Sequence, residues 1–101
     1  MNILFICNQG KYRSRTAEIL FKGRFETKSA GLYNENPVTE KEISWADIIV
    51  VMKDEQRKEL SKRFPEQYLM KKIISIGIDD IYSYNQPELI ELLKEKGSLF
   101  N

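Results

Sequence analysis

Apolar positions along this chain alternate between two rhythms. Ile3-Leu4-Phe5-Ile6 is a short unbroken apolar run bounded by polar residues, and it predicts a buried strand. From Ser14 the apolar residues move to Ala17, Leu20, Phe21 and Phe25, which is helical spacing, with an end near Gly23-Arg24. Thr27–Ala30 reads as a second strand closed by Gly31, and residues 32–38 read as a loop because Asn and Pro favour turns. Thr39-Glu40-Lys41-Glu42 has the form of a capping box, so a short helix is expected to about Trp45, which should pack on the sheet. Ile48–Met52 is the strongest strand signal, of the kind buried on both faces. Asp54 can cap a helix running to about Arg63, and Pro65 should stop it. Ile73–Ile76 is the fourth strand, followed by an exposed loop over 77–86. Pro87 opens a last helix, with Leu89, Ile90, Leu92 and Leu93 on its face and Gly97 to close it.

Strand and helix patterns thus alternate four times. That order predicts an α/β layer fold: one domain over residues 1–101 with a parallel four-stranded sheet flanked by helices. In such sheets ligands collect beyond the carboxyl ends of the strands. Cys7 ends strand one, Met52-Lys53-Asp54 follows strand three, and Asp79-Asp80 follows strand four. Three distant segments are therefore expected on one rim.

Composition narrows the chemistry. Hydrophobic residues make up 42% and charged residues 31%, as in a folded globular domain. Sixteen basic and 15 acidic side chains leave a net charge of +1, so bulk charge predicts no nucleic-acid partner. One cysteine excludes an internal disulfide and a Cys-rich metal site, and the absence of histidine excludes His-ligated zinc and Cys-His pairs. The opening residues read as a strand, not a signal peptide, and no window reaches transmembrane length, so no membrane association and a cytoplasmic location are the default expectations. Oligomeric state is not legible. Charge is unevenly distributed: residues 1–24 carry Lys11, Arg13, Arg15, Lys22 and Arg24 against Glu18 alone, which suggests an electropositive funnel around Cys7. Lys22 and Arg24 fit a solvated helix face equally well.

The strand–helix junction carries the candidate chemistry. Between Cys7 and Arg13 lie five residues, Asn8, Gln9, Gly10, Lys11 and Tyr12, enough to curl a backbone around a tetrahedral oxyanion. Inward amides, a helix N-terminus, Arg13 and the Ser14 hydroxyl would together favour a thiolate on Cys7. The planar fork of Arg13 can grip two nonbridging phosphate oxygens, and sulfur can attack phosphorus in line. A leaving oxygen needs a proton, and Asp79-Asp80 is the nearest carboxylate pair, on a loop that Gly77 lets approach closely. Tyr12, Tyr82 and Tyr84 could line a substrate wall. Taken singly, Cys7 also fits a small core residue, Arg13 a surface charge, Ser14 a plain N-cap and the aspartates a structural turn.

Ile3-Leu4-Phe5-Ile6-Cys7, five intervening residues, Arg13-Ser14 and Ala17-Glu18 resemble the opening of low-molecular-weight protein tyrosine phosphatases. Ser29-Ala30-Gly31, Asp80-Ile81-Tyr82 and the segment Pro87–Leu93 resemble later motifs of that family, most closely its compact bacterial and archaeal branch. The resemblance implies a three-layer phosphatase I-like fold with flavodoxin-like strand order 2-1-3-4. It implies Cys7 as nucleophile, Arg13 as clamp, Ser14 as thiolate partner and Asp80 as general acid then base, with no metal or cofactor; the residues themselves leave Asp79 as the alternate acid. The phosphate loop would be Cys7–Arg13, and Tyr82 a wall residue. Gln9-Gly10 stands where the family has Gly-Asn, Tyr12 where it has a second cysteine, and Arg15 and Ile81 where it has prolines.

The function so implied is a protein tyrosine phosphatase, or a related phosphomonoesterase, working through phosphocysteine. Its partner would be a phosphotyrosine protein, a phosphoarginine protein or a small phosphomonoester. Two alternatives are a noncatalytic phosphoprotein-binding relative and a phosphocarrier like the IIB components of sugar phosphotransferase systems, which also place a cysteine after their first strand. Arsenate reductases of this fold need further cysteines that the chain lacks.

Overall fold

The computed structural model describes residues 1–100 and has three layers. Strands β1 (Asn2–Cys7), β2 (Glu26–Gly31), β3 (Ile48–Val51) and β4 (Lys72–Ser75) form one all-parallel sheet in the order β2-β1-β3-β4. This is the strand order implied by the resemblance. Alternation along β1 sends Ile3, Phe5 and Cys7 to one face and Leu4 and Ile6 to the other.

On the first face pack α1 (Arg13–Phe21) and α5 (Pro87–Lys96), with Ala17, Phe21, Leu89 and Leu93 turned inward. Phe25 lies beyond α1 yet joins this layer, edge-on to Phe100 at 6.3 Å. The second face is covered by α2 (Glu40–Trp45), α3 (Asp54–Arg63) and α4 (Pro65–Met70), chiefly through Ile43, Leu60, Phe64 and Tyr68. Each large apolar side chain removed from water contributes about 1.5–3 kcal/mol, so the doubly covered central strands β1 and β3 anchor the domain. Trp45 packs on the second face as expected, with the Lys28 ammonium 4.4 Å from its ring centroid.

Several local expectations change. Helix α1 starts at Arg13, so Ser14 lies inside its first turn and is not its cap; Tyr12 holds the cap position without a side-chain hydrogen bond. Lys53, not Asp54, precedes α3. The Thr39–Glu42 capping box is present as read. Pro65 ends α3 but opens α4, because proline lacks only an amide hydrogen that the first turn does not use. Gly97 keeps a right-handed conformation and leads into a 3-10 turn, Gly97–Phe100, which sets Phe100 edge-on against the stacked rings of Phe5 and Phe21. Among the described residues no helix is long and apolar enough to cross a membrane.

Candidate active site

Strands β1 and β3 are neighbours at the centre of the sheet, and the chain runs outward from β1 to β2 and from β3 to β4, in opposite directions, so a crevice opens at their carboxyl ends. Cys7 is the last residue of β1 and is 2% exposed. The backbone then turns through Gly10, whose φ of 70° is a left-handed conformation that glycine adopts without steric cost. Gly10 N–H donates to Cys7 Sγ at 3.2 Å, and Ser14 Oγ lies 3.1 Å from the same sulfur. With sulfur as thiolate, both groups donate to it. The loop is thus wound around the sulfur.

The end of β2 holds this loop from behind. Leu32 N–H donates to the carbonyls of Cys7 and Asn8, and Tyr33 N–H to that of Asn8. Gly31 packs so closely on the loop that a β-carbon there would lie 2.6 Å from Gln9 C and 2.8 Å from Gly10 N. A β-carbon on Gly10 would meet Gly31 N at 2.7 Å. Two glycines, one from each segment, permit the contact. On the other side Gln56, buried on α3, accepts from Met52 N–H at 2.7 Å and Lys53 N–H at 3.1 Å, while its Nε2 donates to Asn8 Oδ1 at 3.0 Å. Gln56 was not apparent as a site residue from its neighbours. Its one signal is a polar side chain one turn before Leu60 on the inward face of α3.

Arg13 is the first residue of α1 and only 1% exposed. Its Nη1 donates to Ile78 O at 2.7 Å, which ties the loop after β4 to the phosphate-loop candidate. Its Nε is buried without a hydrogen-bond partner and lies 3.7 Å from Asp80 Oδ1. A buried cation with an open donor, beside helix amides with no side-chain cap, is a ready seat for an oxyanion.

Asp79 and Asp80 are both exposed, and their surroundings differ. Lys53 Nζ donates to Asp79 Oδ1 at 2.7 Å. Lys53 beside it, by hydrogen bond and by charge, holds Asp79 below the usual carboxylate range, and Asp79 in turn raises Lys53. Asp79 is therefore committed as a carboxylate. Asp80 faces Arg13 instead, in a cleft of about 270 Å³ lined also by Asn8, Lys53, Glu55 and Gln56. The expected meeting of Cys7, Lys53 and Asp80 on one rim is what the structure contains.

The tyrosines separate. Tyr82 is half-buried against the α1–α5 core, Tyr12 is exposed at the start of α1, and Tyr84 lines a different groove with Gly10, Lys11, Arg15 and Ser29. Gln9 and Lys11 line a third hollow with Tyr33 and Asn34. The basic funnel also divides: Lys22 and Arg24 follow the far end of α1, roughly 13 Å along it from Arg13. Among the described residues no three His, Cys, Asp or Glu side chains converge to hold a metal ion.

No protein-family model and no curated protein sequence matches the chain. Solved structures do match it in fold. The YwlE arginine phosphatase from Geobacillus stearothermophilus is 21% identical, with a TM-score of 0.69 over 97% of this chain and 93% of that one. A low molecular weight protein tyrosine phosphatase from T. tengcongensis is 21% identical, with a TM-score of 0.76 over 98% and 94%. Vibrio vulnificus Wzb, solved in complex with benzylphosphonate, gives 21% and 0.76 over 98% and 95%. The likeness runs the length of both chains, and at this identity it is a likeness of fold.

Proposed function

We propose that this chain, which has the fold of low-molecular-weight protein tyrosine phosphatases, is a cysteine-dependent phosphatase. The observation that carries the reading is the buried Arg13 guanidinium, its Nε unpartnered, at the mouth of a loop already wound around Cys7 Sγ and beside the carboxyl of Asp80. Arg57 Nε is also buried and unpartnered, so an open donor alone does not mark a site; Arg13 is set apart by standing at the end of the Cys7 loop and beside Asp80. An anion bridging Arg13 Nε and the loop amides satisfies these donors from outside.

In the first step Cys7 Sγ attacks phosphorus as the bond from phosphorus to the leaving oxygen breaks in line. Arg13 and the loop amides take the charge on the nonbridging oxygens. Asp80 in its acid form gives its proton to the leaving oxygen. The second step has the Asp80 carboxylate take a proton from water, whose oxygen attacks phosphorus. The phosphorus–sulfur bond then breaks, inorganic phosphate leaves, and the Cys7 thiolate is restored. Ser14 donates to sulfur in the resting and leaving states. Asp79 is unsuited to the proton-donor role because Lys53 keeps it ionised.

The fold neighbours include an arginine phosphatase and a tyrosine phosphatase, and both substrates suit a thiolate attacking tetrahedral phosphorus. Wild-type protein should hydrolyse para-nitrophenyl phosphate, and Cys7→Ser should lose at least about 10³-fold in kcat while keeping its fold. Rapid acid quench of wild type should trap a phosphate on Cys7, read by mass. Tight phosphopeptide binding by wild type with neither turnover nor phosphocysteine would make the protein a binding module. Phosphocysteine that passes intact to an acceptor, and not to water, would make it a phosphocarrier.

A further inference from the structure

We propose that the groove beside the phosphate loop is a second anion subsite, selecting phosphorylated peptides that carry another acidic group next to the phosphorylated residue. The proposal rests on the reading that the Cys7 loop receives the phosphoryl group. The groove has a volume of about 560 Å³ and is lined by Gly10, Lys11, Arg15, Ser29 and Tyr84. Gly10 belongs to both places. Its amide points at Cys7 Sγ, and the same residue forms the wall of the groove. A substrate whose phosphate occupies the loop therefore has its neighbouring groups at the edge of this groove.

The groove's cations are open to a ligand. Lys11 makes no ion pair or hydrogen bond through its ammonium among the described residues, and Arg15 gives a single N–H to Glu18 Oε1 at 3.1 Å while its side chain stays half exposed. Glu18 is itself held by the hydroxyl of Ser29, so Arg15 is aimed by a chain of contacts and keeps donors for an anion. Lys11 and Arg15 against Glu18 leave one positive charge. The catalytic cleft is the reverse: Arg13 and Lys53 stand against Glu55, Asp79 and Asp80. A second negative group on the substrate is repelled on that side and accepted on this one.

The far wall is built as well. Asn85 N–H donates to Thr16 Oγ1 at 2.8 Å, and Asn85 adopts φ 59°, a conformation few non-glycine residues take. This pin sets the preceding Tyr84 beside the groove, where its ring offers a flat face to a peptide side chain. A simple phosphomonoester cannot reach the groove. A long polyanion finds no basic track on a chain of net charge +1.

The test uses Cys7→Ser protein, which binds without turnover, and three fluorescein-labelled phosphotyrosine peptides of one length. Their residues flanking phosphotyrosine are alanine, glutamate or phosphoserine. Fluorescence polarisation should show the glutamate peptide binding about two- to fivefold tighter than the alanine peptide at low salt. That advantage should shrink toward unity at about 0.5 M salt, where screening is short-ranged. Adding Arg15→Gln or Lys11→Gln should remove most of it, and Arg15→Lys should restore part. A greater advantage for phosphoserine than for glutamate identifies a second phosphate as the preferred group, and the reverse identifies a carboxylate. Equal binding of alanine and acidic peptides, or an acidic preference that both Gln variants leave intact, overturns the subsite. If wild type hydrolyses para-nitrophenyl phosphate while the acidic advantage is absent, only the subsite falls. Without hydrolysis and without binding of any peptide, the phosphatase reading falls with it.

Discussion

The cradle around Cys7 and the loop that carries Asp80 meet at Arg13, yet they are built on opposite principles. Cys7, Arg13 and Ser14 are almost fully buried, and their backbone is clamped by the end of β2, by Gly31 and by Gln56. Asp80 is half exposed, on a loop held after β4 by Ile78 N–H on Met52 O, by Arg13 on Ile78 O and by the Lys53–Asp79 pair. Oxyanion stabilisation works best where donors are fixed before the reaction, since nothing then reorganises as charge develops. A group that gives and takes protons must meet water and let substrate pass. Rigidity belongs to the anion, access to the proton.

The sharpest way to break this division is at the proton. Asp80→Asn should slow hydrolysis of phenyl or alkyl phosphates by roughly 10²–10⁴-fold, and cleavage of an activated aryl ester by less, because its leaving oxygen needs little protonation. Asp79→Asn should stay near wild type. Comparing kcat for phenyl and para-nitrophenyl phosphate in both variants checks this, and the opposite ranking would move the acid by one residue.

Arg13→Lys comes next, with a loss of about 10²–10³-fold in kcat/KM despite the conserved charge, since a single ammonium cannot hold both the anion and Ile78 O. Binding of inorganic phosphate, read by protection of Cys7 from alkylation, should weaken in parallel. The two left-handed glycines then compare the regions directly. Gly10→Ala adds backbone overlap with Gly31 to a strained φ and should cost about 2–5 kcal/mol of stability, read by urea unfolding. Gly77→Ala has open space around it and should cost only the strain, about 1–2 kcal/mol. Equal costs would mean the cradle is as pliable as the loop.

The smallest effect belongs to the Lys53–Asp79 pair. Asp79 is lowered from 3.8, so its contribution is present above that pH and is lost as pH falls through the lower folded value. Lys53 is raised from 10.5, so its contribution is complete below that pH and is lost as pH rises through the higher folded value. Between about pH 5 and 9 the pair is intact. The difference in Tm between wild type and Asp79→Asn should be small, constant across that window, and vanish in acid.

Much of this organisation is local and was legible. The run Ile3–Ile6, the turn through Gly10 and the spacing from Cys7 to Arg13 identify a strand, a curl and a helix start within a stretch of eleven residues. The Thr39–Glu42 box and the run at Ile48 mark α2 and β3 just as directly. Pro65 misleads because the same missing amide hydrogen that stops one helix suits the first turn of another, and the local pattern does not separate the two.

The sequence by itself determined that a single thiol ends a buried strand, that an arginine and a serine open the next helix, and that strands and helices alternate. Side-chain type and short-range periodicity carry that information, because it is set by neighbours in the chain. Only the tertiary structure decided which distant groups touch. Placing β1 between β2 and β3 puts Gly31 against Gly10 and Gln56 against Asn8, 21 and 48 residues apart in the chain. The same packing gives Asp79 to Lys53 and leaves Asp80 to Arg13, and it separates Tyr82 in the core from Tyr84 at the groove. Neither aspartate nor either tyrosine differs from its twin in kind. What separates them is the backbone direction at each residue, set by how the loop after β4 docks across the ends of β3 and α1.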